Sequence, residues 1–144
     1  MNTLKNTELI NALYQNTEMG ISSIKKLYPK IKNTNLKNEI KKQLYNYKKQ
    51  QNNIINSMKT NKITPHKVPL MIKTMTSTGI ALNCAKDSSS EHIAEMLIQG
   101  TNMGIIKINQ ALNRTSFLNS EFTNVAKIML QKEQQYIDNL KKYL

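Results

Sequence analysis

Residues 13–21 read LYQNTEMGI, and residues 97–105 read LIQGTNMGI. Six of the nine positions are identical at a spacing of 84, among them Thr17 with Thr101, Met19 with Met103 and Gly20 with Gly104. At 100° per residue the helix that carries each string has one apolar stripe. In the first the stripe is Leu9, Leu13, Gly20, Ile24 and Leu27; in the second it is Ile93, Leu97, Gly104, Ile108 and Ala111, again 84 positions on. The chain writes one amphipathic helix twice.

A second pair of stripes follows at a spacing of 82: Leu36, Ile40, Tyr47, Ile54 and Met58 correspond to Leu118, Phe122, Met129, Tyr136 and Leu140. The sequence therefore divides into two helical hairpins, 3–60 and 88–144, neither of which can bury its stripe alone. Packed face to face they predict an all-α four-helix bundle with a pseudo-two-fold axis, a single domain over 1–144. The segment 61–87 is the long crossover between them. Its own stripe of Val68, Met71, Ile72, Met75, Gly79 and Leu82 predicts a fifth helix laid on the bundle. The methionines fall mostly on stripes or their edges, where they fill a core.

Helical punctuation agrees. Asn2 or Thr3 caps the first helix, which stops near Tyr28 because Pro29 removes an N–H and restricts the residue before it. Asn33, Thr34 or Asn35 caps the second, which runs to about Lys59. Pro65 and Pro69 mark a connection rather than a helix interior. Ser88 with Glu91 has the spacing of a capping box for the helix that ends near Arg114, and Thr115, Ser116 or Ser120 starts the last one. Four glycines, three prolines and no tryptophan in 144 residues suit helices, and no strand pattern is present.

The N-terminal stretch lacks the apolar region of a secretion signal, and no apolar run approaches the roughly 20 residues that span a bilayer. The single cysteine, Cys84, forms no internal disulfide and sits on the outer side of the crossover. A cytoplasmic protein is expected. The net charge of +12 raises nucleic acid or an anionic membrane as a partner, but the basic residues are lysines with the one exception of Arg114, a bias that AT-rich coding also produces. Nucleic acid is kept as the subordinate partner. Its most suitable surface is Lys41, Lys42, Tyr45, Lys48 and Lys49, on the outer face of the second helix, where a stacking ring stands among cations.

The paired hairpins, the long crossover and the string HIAEMLIQGTNMGI at 92–105 resemble the ferritin-like superfamily, and within it small ferritin-like proteins of Gram-positive bacteria. The resemblance implies a di-iron or di-manganese site, with one inward Glu on the first helix of each hairpin and Glu-x-x-His on the second. This chain departs from that pattern. The second-helix positions read Gln51 with Ile54 and Glu133 with Tyr136, and the first-helix candidates are Thr17 and Thr101. Only Glu133 keeps a charged ligand type, so no metal is expected, and any that bound would do so at Glu133.

The residues instead suggest a core polar cluster of Thr17, Gln51, Thr101, Glu133 and Tyr136 that fixes helix register. Glu18 falls opposite the stripe with Glu8, Asn11 and Gln15 and is read as solvent-facing. Glu91, His92 and Glu95 form a second-choice polar site near a helix start. No nucleophile triad, Gly-rich phosphate loop or Cys-x-x-Cys motif occurs. The expected function is a non-enzymatic, self-associating structural or interaction protein; the alternatives are a divergent iron- or manganese-dependent oxygen-handling protein and a basic anion-binding bundle.

Overall fold

The computed structural model describes residues 2–66, 68, 79–80, 87–115 and 120–144, and among these it is helical with no strand. Helix α1 spans Asn2–Leu27 and ends in a 3-10 turn, Tyr28–Lys30, that holds Pro29 at its start. Helix α2 spans Thr34–Thr60, α3 spans Ser90–Asn113 and α4 spans Ser120–Leu140, followed by a 3-10 turn at Lys141–Tyr143.

Side chains close the helix ends. Asn33 is extended, and its Oδ1 accepts from the Leu36 N–H at 3.0 Å, satisfying one of the unpaired donors of the first turn of α2. At the other end the Ile63 N–H donates to Met58 O at 2.8 Å and the Lys62 N–H to Lys59 O at 3.2 Å, a Schellman closure. Lys62 occupies its left-handed position, with φ of 56°. The cap of α3 is Ser89 rather than Ser88: Ser89 Oγ accepts from the His92 N–H at 3.2 Å. Ser89 takes the role because the Asp87 carboxylate accepts its N–H at 2.8 Å and fixes the entry one residue later.

The stripes read from the sequence are the buried ones. Leu9, Leu13, Ile24 and Leu27 on α1, and Ile93, Leu97, Ile108 and Ala111 on α3, lie in the core with Ile40, Tyr47, Ile54 and Met58 of α2 and Phe122, Met129, Tyr136 and Leu140 of α4. They divide into two apolar clusters. One gathers Ile24 and Leu27 with Leu36, Ile40, Ile93, Tyr136 and Leu140; the other gathers Leu9 and Leu13 with Ile54, Met58, Ile108, Phe122 and Met129. This sorting makes α1 antiparallel to both α2 and α3, and α3 antiparallel to α4. It also places the end of α2 and the start of α3 at opposite ends of the bundle, so the connection between them has to travel the full length.

The predicted fifth helix falls mostly outside the described residues, as do Cys84, Leu118 and most of the crossover stripe. Of that stripe Val68 is buried, and Gly79 with the buried Ile80 is helical. The start of the crossover corrects one expectation. Asn11, Gln15 and Glu18 do not simply face solvent: Asn11 Oδ1 accepts from the His66 N–H at 2.7 Å, Gln15 Nε2 donates to His66 O at 3.0 Å, and Glu18 Oε2 accepts from the Val68 N–H at 2.9 Å. Spaced four and three residues apart, these side chains form a row along α1 that supplies hydrogen bonds to the backbone of His66 and Val68, which lie outside any helix. Glu8, the fourth residue of that face, pairs with Arg114 at 2.9 Å and links the start of α1 to the end of α3.

Candidate functional site

Between the two apolar clusters, at the waist of the bundle, lies the fully buried carboxyl of Glu133. Each of its oxygens has one neutral donor. Asn16 Nδ2 of α1 donates to Oε1 at 2.9 Å, and the Tyr47 hydroxyl of α2 donates to Oε2 at 2.8 Å. One side chain of α4 thereby ties together three helices.

Both repeated glycines serve this arrangement. A Cβ on Gly20 would stand 2.9 Å from Cζ and 3.0 Å from both Cε atoms of the Tyr47 ring. On Gly104 it would collide with Asn16 Oδ1. The glycine on α1 thus makes room for the phenol, and the one on α3 makes room for the amide, so all four helices shape the site. The Tyr136 ring is tilted against that of Tyr47, with centroids 5.3 Å apart and planes at 58°. This tilted contact suits two aromatic quadrupoles.

Burial pushes the Glu133 carboxyl up to about 7; the bonds from Tyr47 and Asn16 oppose the shift only in part, and no cation contributes. The same cause, with the Glu133 charge second, raises Tyr47 well above the ordinary phenol value. Tyr136 rises to about 12, through burial first and the Glu133 charge second. The Asn46 side chain partly opposes that rise, although it does not reach hydrogen-bonding geometry with the hydroxyl, which is buried and unbonded among the described residues. The group is a carboxyl that exchanges a proton near neutrality between two phenols that stay protonated. When Glu133 is protonated, its proton can be accepted by the Tyr47 oxygen, because a phenol both donates and accepts.

The expected polar cluster is assembled with different partners. Thr17 is fully buried, but its hydroxyl donates to Tyr14 O at 2.6 Å, and that of Thr101 donates to Leu97 O at 2.8 Å. Such back-bonding to the preceding turn satisfies Thr17 without any partner from another helix, whereas the Thr101 hydroxyl also lies beside that of Tyr47 and opposes part of its upward shift. Gln51 is half-buried on the flank of α2, and no described hydrogen bond joins it to Glu133; its neighbour Gln50 is the one whose buried amide atoms lack partners among the described residues. Asn16 and Tyr47 are the hydrogen-bond partners of Glu133 that stripe reading did not assign to it. The sequence signal for Tyr47 was a polar-tipped ring on a buried stripe, and the signal for Asn16 was a glycine on the opposing helix.

The other candidates are on the surface. Lys41, Lys42, Tyr45, Lys48 and Lys49 are all exposed along α2. Glu91 and Glu95 are exposed and His92 is half-buried, its Nδ1 3.8 Å from Glu95.

The Glu133 surroundings do not fit a di-metal centre. Hard divalent cations need several anionic oxygens, and this site offers one carboxyl, each of whose oxygens already accepts one hydrogen bond. Among the described residues no three His, Cys, Asp or Glu side chains converge, and no helix is long and apolar enough to cross a membrane. No protein-family model, curated protein or solved structure gives a match to the chain.

Proposed function

We propose that this chain is a ferritin-like bundle of two matched hairpins in which the position of a metal site holds a hydrogen-bonded carboxyl instead, and that it works as a non-enzymatic, self-associating structural or interaction protein of the cytoplasm. The observation that carries the reading is the closure of Glu133: both oxygens are satisfied by neutral donors from α1 and α2. Each oxygen keeps a second lone pair, but no further group of ligand type converges on it among the described residues, and the two bonds it makes hold helices in register.

The matched hairpins also make the site lopsided. At the spacing of 82 the counterpart of Glu133 is Gln51, and at the spacing of 84 the counterpart of Asn16 is Gly100. A di-metal centre draws on both halves equally; this carboxyl site draws its acid from one hairpin and its two donors from the other. Among the described residues, apolar side chains exposed for self-association include Met103 and Ile106 on α3 and Ile128 on α4, which are 59%, 56% and 55% exposed.

The test joins mass to metal. Light scattering on the eluting protein gives the oligomeric state, and plasma mass spectrometry gives metal content after anaerobic loading with ferrous iron or manganese, for the native chain and for Glu133→Gln. The expected result is an oligomer with well under one metal per chain, unchanged by Glu133→Gln. One or two equivalents of metal that vanish in Glu133→Gln would replace this reading with an iron- or manganese-handling protein, and a monomer at all concentrations would remove self-association.

A further inference from the structure

The basic charge is not spread through the chain. Residues 25–62 hold eleven lysines against a single acid, Glu39, a net charge of +10 in 38 residues. The other 106 residues hold ten basic and eight acidic groups. A coding bias toward lysine would act on both hairpins alike, yet α2 carries six lysines and one acid, whereas α4 carries two lysines and three acids. The excess belongs to one helix and its flanks.

Within α2 it belongs to one face. Tyr45 is 66% exposed, and the four positions that neighbour it on a helical surface, three and four residues to either side, are Lys41, Lys42, Lys48 and Lys49. All four are exposed, and none is in an ion pair among the described residues. One turn further out on the same line are the exposed Asn38 and Asn52. The one acid of the helix is turned away: Glu39 Oε1 accepts from Asn139 Nδ2 of α4 at 3.0 Å. At the spacing of 82 the five positions become Thr123, Asn124, Lys127, Leu130 and Gln131, so the second hairpin has no such surface.

We propose that this face of α2 binds single-stranded nucleic acid without sequence preference, Tyr45 stacking on a base while the four lysines neutralise the phosphates on either side. The lysines span about 12 Å along the helix at about 1.5 Å per residue, short enough for adjacent nucleotides to be held on both sides of one ring. An exposed ring favours an unpaired base over a duplex, whose bases are already stacked. An anionic membrane is the poorer match, because binding there needs buried apolar area and Tyr45 is the only large apolar side chain exposed on α2.

The test is fluorescence anisotropy of the full chain with a labelled thymidine 20-mer and with a duplex of equal length, from 50 to 300 mM salt. Binding to the single strand should weaken with a log–log slope approaching about −3, the value for four phosphates. Tyr45→Ala should lower single-strand affinity by roughly fivefold to a hundredfold, and Tyr45→Phe should retain it. Lys41→Glu/Lys42→Glu/Lys48→Glu/Lys49→Glu should abolish binding, whereas the same charge change made by Lys107→Glu/Lys127→Glu/Lys141→Glu/Lys142→Glu should cost much less. Circular dichroism of each variant establishes that the fold is intact. Equal losses in the two quadruple variants, no effect of Tyr45→Ala, a preference for the duplex, or binding to phosphatidylserine vesicles in place of the oligonucleotide would each overturn the assignment.

Discussion

Two glycines one turn apart on α3 should respond to alanine with opposite signs. Gly100 is exposed and a Cβ there meets nothing within 4 Å, so Gly100→Ala should add the helix-propensity difference, about 1 kcal/mol of stability. Gly104→Ala gains the same amount but places a methyl where Asn16 Oδ1 now sits. The amide must swing away, and its bond to Glu133 is lost, leaving an oxygen of a buried carboxyl without its donor. A hydrogen bond to a charged group is worth roughly 1.5–3 kcal/mol, so the net effect is a loss of about 0.5–2 kcal/mol. In urea, with a slope of about 1.5 kcal/mol per molar, the midpoint should rise by roughly 0.7 M for Gly100→Ala and fall by roughly 0.3–1.3 M for Gly104→Ala. A cycle isolates the cause: in an Asn16→Ala background the obstruction is gone, and Gly104→Ala should become stabilising. A midpoint raised by Gly104→Ala in the native background, or an equal loss with and without Asn16, would refute the role given to this glycine.

The remaining expectations concern protons and one helix end. A carboxyl held at about 7 when folded and near its ordinary 4.5 when unfolded binds an extra proton in the folded chain between those values. Its contribution is complete below about pH 4.5 and is lost as pH rises to 7, about 3 kcal/mol in all. The urea midpoint measured against pH should show this fall in the native chain and lose it in Glu133→Gln. Tyr47→Phe removes a donor that favours the carboxylate, so the Glu133 titration followed by carboxyl NMR should move above 7; a downward move would contradict the assigned bond. Lys62→Gly relieves a left-handed backbone at the end of α2 and should raise stability by about 1 kcal/mol, as read from the thermal midpoint.

What the sequence could reveal was whatever depends on one helix at a time. Stripe positions such as Leu13, Ile40, Ile108 and Phe122 are buried as the 100° period requires, and Pro29 and Asn33 act where their chemistry places them. The Glu133 partners were not accessible in that way. Asn16 and Glu133 are 117 positions apart, and their meeting depends on how far α1 slides along α3 and α4, which no periodicity encodes. Thr17 misled for a related reason: a buried hydroxyl on a helix needs no distant partner when the carbonyl of its own preceding turn is in reach. Asn11, Gln15 and Glu18 looked solvent-facing because nothing in α1 itself announces the backbone that comes to lie on it.

The two glycines of the repeated string show what such a repeat holds in common. On the proposed matching of the hairpins, Gly20 and Gly104 are equivalent, yet the first gives space to a phenol from α2 and the second to an amide from α1. The counterpart of Tyr47 is Met129, and the counterpart of Asn16 is Gly100. The shared letters therefore encode vacancy at the waist of the bundle, a geometric property that both halves need wherever helices pack closely. The chemistry comes from the residues that fill the space, and these differ between halves. One hairpin supplies neutral donors and the other supplies the acid. The polar site is consequently a property of the pairing of the hairpins: separating them would leave Glu133 without donors and Gly104 without the Asn16 amide, while Gly20 would keep the Tyr47 ring of its own hairpin.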